Sequence, residues 1–226
     1  MGFTVTRIDS KTAGAGTSIA ASSWTPKAGA VYLIAVASAD TDGTADAATV
    51  TGNNMTWTKF ADNNVFIPGF NTEWRLEVYR AVNTGGATTG ATTASFGPFT
   101  QSVMALSLIE VLGADTQTPV VQSNTAANAN VTSSSVSLAA FAHPSNGTFA
   151  WFFHSVNEGT TPGTGFTELS DDFGAGAPEV DLQAEWKAVN DTLADASWGS
   201  TAGAAIGAAA ELKIGGDPSV GMIQAG

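Results

Sequence analysis

The sequence predicts an all-β protein: antiparallel strands in a sandwich of jelly-roll type, built from two similar halves. Three observations predict it. The stretch Glu73–Asn83, EWRLEVYRAVN, sets Glu73, Arg75 and Glu77 against Trp74, Leu76 and Val78 in strict alternation. Successive side chains of a strand leave opposite faces, so period two reads as a half-buried strand, whereas a helix would scatter the apolar residues. Ala30–Ser38 (AVYLIAVAS) and Ser102–Leu112 (SVMALSLIEVL) are nearly all apolar, as strands covered on both faces are. Finally, the second half of the chain echoes the first.

The echoes keep their order. Ser10-Lys11-Thr12-Ala13 returns as Ser123-Asn124-Thr125-Ala126, and Ala30–Ser38 has its counterpart in Thr148–Ser155. Thr56-Trp57-Thr58 is matched by Gly165-Phe166-Thr167, and Tyr79–Asn83 by Trp186–Asn190. Ser95-Phe96-Gly97 returns as Ser197-Trp198-Gly199, and Glu110 as Glu211. These matches point to a tandem duplication of roughly 110 residues. The expected division is 1–116, 117–215 and a tail, 216–226. The halves form either one sandwich or two packed domains, and one continuous unit with pseudo-twofold character is the expectation. Superposing the two AVN ends puts the apolar rows one residue out of step. A one-residue slip turns every side chain over, so a β-bulge is expected near Val78–Tyr79.

In order, Phe3–Ile8 reads as the first strand and Lys11–Gly16 as a loop. Thr17–Ser22 is a short strand, closed by the Pro/Gly turn Trp24–Gly29. After the strand Ala30–Ser38 comes a loop, Asp40–Ala48, and a short strand, Thr49–Thr51. Asn53-Asn54 is a turn before Met55–Phe60, and Asn63–Phe70 is a long loop. Thr92–Phe96 is a strand by its β-branched content. Ala202–Ile214 is alanine-rich, but its place in the repeat and the alternation of Glu211 and Lys213 with Ala210, Leu212 and Ile214 make it a strand.

Composition limits the function. Of 226 residues, 43% are apolar and 12% charged, so a large core lies under a surface of Thr, Ser, Asn, Gly and Ala. Twenty acids against eight bases give a net charge of −12. Nucleic acid and anionic membranes are poor partners for such a chain, since both need clustered Lys and Arg. No cysteine is present, which removes disulfides and thiolate metal sites. No signal peptide and no membrane span are read, and no cofactor is implied.

Little chemistry is legible. His143 precedes Pro144 in a turn and His154 ends a buried strand; no G-x-S-x-G elbow accompanies them, so both read as structural. Asp40, Asp42 and Asp46, around Gly43, are the candidate calcium ligands, though without the full EF-hand spacing. Asp171-Asp172 with Glu179 and Asp181 form a second acidic cluster, whose paired carboxylates would suit glycoside hydrolysis only at the right separation. Trp57, Trp74, Trp186 and Trp198 fall at repeated strand positions and read as core. Phe66, Ile67, Pro68 and Phe70 sit in a loop of one half only, and with Ile214, Val220, Met222 and Ile223 of the C-terminal segment they are the candidate partner contacts.

Val50–Trp57 (VTGNNMTW), Trp74–Ala81 (WRLEVYRA) and Ile109–Asp115 (IEVLGAD) with Pro119 resemble a family of internally duplicated β-sandwich domains, found in tailed-phage structural proteins and bacterial surface proteins. The family's domains are of roughly 200 residues and the likeness covers nearly the whole chain, but its motifs are hydrophobic and specify a fold more than a function. It brings no catalytic residues. It implies a virion or surface setting. Together with the Thr/Ser/Ala/Gly surface, the acidic charge and no signal peptide, the expectation is a non-enzymatic virion protein that decorates or cements the capsid, or else a tail component. The expected partners are the major capsid protein or other virion proteins, and further copies of the chain itself. The alternative is a carbohydrate-binding or adhesion module using loop aromatics, with calcium at Asp40, Asp42 and Asp46.

Overall fold

The structure is a computed structural model, and it describes residues 2–43, 45–67, 71–173 and 178–216, with Ile67 described by its backbone alone. Among these residues there is no helix. The first eight strands are β1 (Thr4–Ala13), β2 (Ser18–Ala20), β3 (Val31–Asp40), β4 (Thr49–Gly52), β5 (Thr58–Ile67), β6 (Thr72–Val82), β7 (Thr92–Ser95) and β8 (Val103–Leu112). The next eight are β9 (Val120–Val131), β10 (Ser133–Ser137), β11 (Gly147–His154), β12 (Thr160–Pro162), β13 (Thr167–Phe173), β14 (Asp181–Lys187), β15 (Leu193–Trp198) and β16 (Gly203–Leu212).

They form four antiparallel sheets. β1-β8-β3-β6-β5 is a five-stranded sheet and β2-β7-β4 a three-stranded one; β9-β16-β11-β14-β13 and β10-β15-β12 have the same order eight strands later. Each three-stranded sheet covers the outer face of its own five-stranded sheet, and the two five-stranded sheets lie face to face. The molecule is therefore four layers deep. The central layer joins Leu33, Leu76, Val78 and Ile109 of the first half to Phe149, Trp151, Phe153, Leu182 and Ile206 of the second. A second layer lies between the first-half sheets, around Tyr32, Ile34, Val50, Leu106 and Phe96. A third lies between the second-half sheets, around Val136, Phe152, Ala194 and Ala196. Contacts between the central sheets run β1 to β13, β8 to β14, β6 to β16 and β5 to β9, the exchange that a twofold axis produces.

Alternation along β6 now has its cause. Trp74, Leu76 and Val78 enter the central layer, while Arg75, Glu77 and Tyr79 face the three-stranded sheet. The polar face is not the solvent face that a half-buried strand predicts, because Glu77 is 1% exposed beneath the outer sheet. The register correction is related. β6 pairs with β3 without interruption, and the irregularity lies opposite it in β5, where Lys59 and Ala61 pair with Tyr79 and Val78. The bulged residue is Phe60. β13 carries the matching irregularity at Leu169, between Glu168 and Ser170. Val78 therefore corresponds to Ala184 and Tyr79 to Glu185, and the apolar rows are in step. The extra residue that separates the AVN ends falls after Lys187.

Two further expectations shift. β1 runs on to Ala13, through the expected loop start, and β5 runs on to Ile67, so that Phe66 is strand rather than loop. The Asn53-Asn54 turn stands as read, with both residues at positive φ (56° and 52°) and the Met55 N–H bonded to the Gly52 carbonyl at 3.2 Å. Asparagine tolerates that conformation better than most residues.

Aromatic side chains tie the halves. Phe60, thrown inward by the bulge, meets Trp151 edge-on at 6.0 Å, and Phe3 meets Phe149 in the same way at 6.0 Å. Phe3 also lies over Gly147, where a Cβ would come within 2.8 Å of its ring, so only glycine fits. At the ends of β8 and β16, Ala114 bridges to Ile214, and Lys213 pairs with Asp115 at 2.9 Å. Trp151 is fully buried in the central layer. Trp151→Ala is expected to lower stability by about 3–5 kcal/mol in denaturant unfolding, against about 0.5 kcal/mol or less for Phe66→Ala at the surface.

Candidate functional site

The functional side chains that the fold gathers are polar and run from buried positions between each five-stranded sheet and its cover (Glu77, Tyr79, Asp181, Glu185) out to exposed ones at the sheet edge (Lys59, Asp62, Glu168). The two sandwiches solve the same problem differently.

In the first, β5 and β6 bring together Lys59, Asp62, Arg75, Glu77 and Tyr79. Glu77 accepts from Lys59 Nζ at 2.8 Å and from the Ala48 N–H at 2.6 Å. Asp62 accepts from Lys59 at 2.6 Å and from Arg75 at 2.7 Å. The Tyr79 hydroxyl donates to the Ala48 carbonyl at 2.5 Å, and burial with the Glu77 charge beside it pushes its pKa far up. Burial opposes the charge on Lys59, but its bonds to Asp62 and Glu77 outweigh this and raise its pKa. Burial likewise opposes ionisation of Asp62, and Arg75 and Lys59 override it, holding the carboxyl below its usual value. Each buried charge has its opposite.

The register identifies the equivalent positions in the second sandwich. Lys59 pairs with Tyr79 as Glu168 pairs with Glu185, and Asp62 pairs with Glu77 as Asp171 pairs with Gln183. Arg75 then corresponds to Asp181. Both cations of the first sandwich are replaced by acids. Eleven acids follow residue 116 against two bases, Lys187 and Lys213, and those are bound to Asp191 and Asp115. Asp181 is wholly buried and Glu185 1% exposed. Thr160 gives its N–H to Asp171 at 3.0 Å and its hydroxyl to Asp181 at 3.4 Å. The Gly163 N–H reaches Glu185 at 3.1 Å. Asp171 Oδ1, Asp181 Oδ2, Gln183 Oε1 and Glu185 Oε1 have no donor. Burial, then the charge of Asp171, raises Asp181 to about 9; burial, with Asp195 and Glu168 nearby, raises Glu185 to about 8. Burial and Asp171 raise Glu168 as well. His154 stacks on Trp198 at 4.3 Å, its Nε2 lies 2.9 Å from Thr160 Oγ1 and 3.5 Å from Asp181, and burial depresses its pKa to about 4.

One pair of glutamates is conserved in place but not in partners. Glu110 is held by Lys27 at 2.7 Å and Tyr32 at 2.9 Å. Its counterpart Glu211 is held by the Gln122 amide at 2.6 Å, the Asn146 amide at 2.5 Å and the Ala142 N–H at 3.0 Å.

The sequence-derived candidates fare unevenly. Asp40 accepts from Ser102 at 3.1 Å and from the Asp42 N–H at 3.3 Å, while Asp46 accepts from Gln101 at 3.1 Å. Among the described residues no group of three or more Asp, Glu, His or Cys is arranged to hold a metal ion, so Asp40, Asp42 and Asp46 do not assemble into the expected calcium site. Asp171 and Asp181 do come together, as the second acidic cluster suggested, but Asp181 is closed off from solvent. Phe66 is 45% exposed at the end of β5. Ile214 is half-buried beside a groove of about 790 Å³ that Val120, Val121 and His143 also line. Pro68, Phe70, Val220, Met222, Ile223 and the side chain of Ile67 lie outside the described residues. Glu168, Gln183 and Glu185 escaped notice in the sequence. Their signal was the alternation Asp181, Gln183, Glu185, set against Arg75, Glu77, Tyr79.

No family model, no curated protein and no solved structure matches this chain.

The raised carboxyls make stability pH-dependent, with a definite sign. An acid whose pKa is higher in the folded chain stabilises it fully below its ordinary value, and that contribution is lost as pH rises through the folded value. For Asp181 and Glu185 the loss runs from about pH 4 to about pH 8–9. His154 acts oppositely, its contribution falling away below about pH 6.5 towards 4. Glu168→Lys, which puts a cation where the first sandwich has Lys59, is expected to raise the melting temperature by several degrees at about pH 8 and by less at about pH 5. Thermal melts of both proteins at the two pH values check this.

Proposed function

We propose that this chain is a non-enzymatic structural protein of a phage virion, decorating or cementing the capsid, with the major capsid protein or another virion protein and further copies of itself as partners. We read the order β1-β8-β3-β6-β5 over β2-β7-β4 as a jelly roll whose fifth strand has moved to the larger sheet, and the same order in β9–β16 as a duplicated unit. The observation that carries the reading is an edge strand. Four strands border the central sheets: β1, β5, β9 and β13. Three are guarded by charge and by a mid-strand bulge: β1 by Arg7, Asp9 and Lys11, β5 by Lys59 and Asp62, β13 by Glu168, Asp171 and Asp172. Such features keep edges from pairing with other chains.

β9 lacks them. Its twelve residues, VVQSNTAANANV, include no charge, proline or glycine, and its pairing with β16 is regular from Gln122 to Asn128. Most of it is exposed. A long uncharged edge on a chain of net charge −12 is where a neighbour meets least repulsion. The carbohydrate alternative calls for loop aromatics; Trp24, Trp74, Trp151 and Trp198 are buried, and Phe66, Phe99 and Phe173 are the exposed aromatics among the described residues.

Mass spectrometry of purified particles is expected to find the chain in stoichiometric amount; its absence there would overturn the reading. On β9, Ala127→Lys introduces a charge at an exposed position and is expected to weaken attachment to particles at least about tenfold in a co-sedimentation assay. Unchanged attachment would remove β9 as the contact.

A further inference from the structure

The second sandwich confines acids where the first confines ion pairs, and something must neutralise them. Asp181 is faced by His154 from β11, by Thr160 from β12 and by Asp171 and Asp172 from β13. Glu185 is faced by Glu168 from β13, by Gln183 on its own strand, by the Gly163 N–H and by Asp195 from β15. Glu158, after β11, is the other charge near His154. No Lys or Arg is among these groups. Lys187 sits at the far end of β14, bound to Asp191 and to the Thr164 carbonyl.

Geometry separates a metal from a proton as the neutralising agent. Asp181 and Glu185 are four residues apart on one strand, so their Cα atoms are about 13 Å apart and one ion cannot serve both. Asp171 and Asp181 lie within hydrogen-bonding reach of each other, and Asp171 Oδ1 and Asp181 Oδ2 both lack a donor. A single proton between two such carboxyls removes one charge and supplies the missing bond, as like charges at close range demand. Glu185 Oε1 also lacks a donor, in a spot that excludes water. A proton there replaces a buried charge by a neutral acid, and a buried charge without its opposite costs several kcal/mol.

We propose that the second sandwich is a proton-dependent element of the fold: a proton on Asp181, bonded across to Asp171, and another on Glu185 hold β12, β13 and β14 together, and their loss in alkaline solution loosens that corner while the first sandwich stays closed. The asymmetry is built into equivalent positions. Lys59 and Arg75 keep their charge through the same range, so the first sandwich has no corresponding transition. His154 is neutral throughout it.

Methyl NMR of the full chain tests this, because side-chain methyl signals survive at high pH. Val136, Ala194 and Ala196 report the second sandwich, and Ile19, Val50 and Ala94 the first. On raising the pH from about 6.5 to about 9.5, the first three are expected to shift and broaden while the others hold. The double variant Asp181→Asn, Glu185→Gln is expected to abolish the response. Should that variant fail to fold, Asp171→Asn alone is expected to move the midpoint by at least about one pH unit. The proposal is overturned if both sandwiches respond alike, if neither responds, or if the variants keep the response unchanged. It is also overturned if calcium added at about pH 9 restores the neutral-pH spectrum, since a metal would then be the neutralising agent.

Discussion

The apolar layer between the two five-stranded sheets is the constraint on which the rest of the molecule depends. Trp151, Phe149 and Phe153 on one side meet Leu33, Leu76 and Ile109 on the other, and all six are without solvent exposure. Fully burying one large apolar side chain stabilises by about 1.5–3 kcal/mol, so this layer outweighs any individual polar contact in the structure. It also fixes everything outward of it. Once one face of each five-stranded sheet is committed to the centre, the alternate residues must face the other way. There they meet a three-stranded cover rather than water.

That geometry explains why charged residues are buried at all. Arg75, Glu77, Asp181 and Glu185 sit on central strands because the strand has only two faces and the inner one is full. In the first sandwich the consequence is an ion-pair cluster anchored by Lys59 and Arg75. Such clusters contribute little net stability, but removing one partner strands the other, so all members must be kept together. The second sandwich drops both cations. What remains is a set of carboxyls whose neutral form fits the site and whose charged form does not.

Much of the fold was legible in the sequence: period two marked β6 and the apolar run marked β3, while β8 and β16 could also have been helices and were decided by flanking glycine and proline and by place in the repeat. The ordered echoes anticipated the same strand order in β1–β8 and β9–β16, and Glu110 and Glu211 do occupy matching buried places. Three things were not. A polar alternate row on β6 suggested solvent, since one strand cannot show that a second sheet covers it. Matching AVN to AVN displaced the register by one, because identity outside the strand was allowed to decide what pairing inside it decides; the bulge belongs to Phe60 in β5. And Asn63–Phe70 read as a long loop, whereas β5 continues as an edge strand through Asn63 and Phe66 to Ile67. The acidic interior was half visible. Asp171 and Asp181 were noticed as a cluster, while Glu168 and Glu185 needed the cross-strand register before their lack of a cation had meaning.

The halves are thus one body through the central layer, although each has its own outer core. Equilibrium unfolding in denaturant at mildly acidic pH, followed by one probe in each half, tests that claim most directly. A fluorine label on Trp24 and one on Trp198 would serve. The account predicts superimposable transitions with a single midpoint, because neither five-stranded sheet keeps its inner face covered without the other. Two separate midpoints, with one half folded while the other is lost, would contradict it.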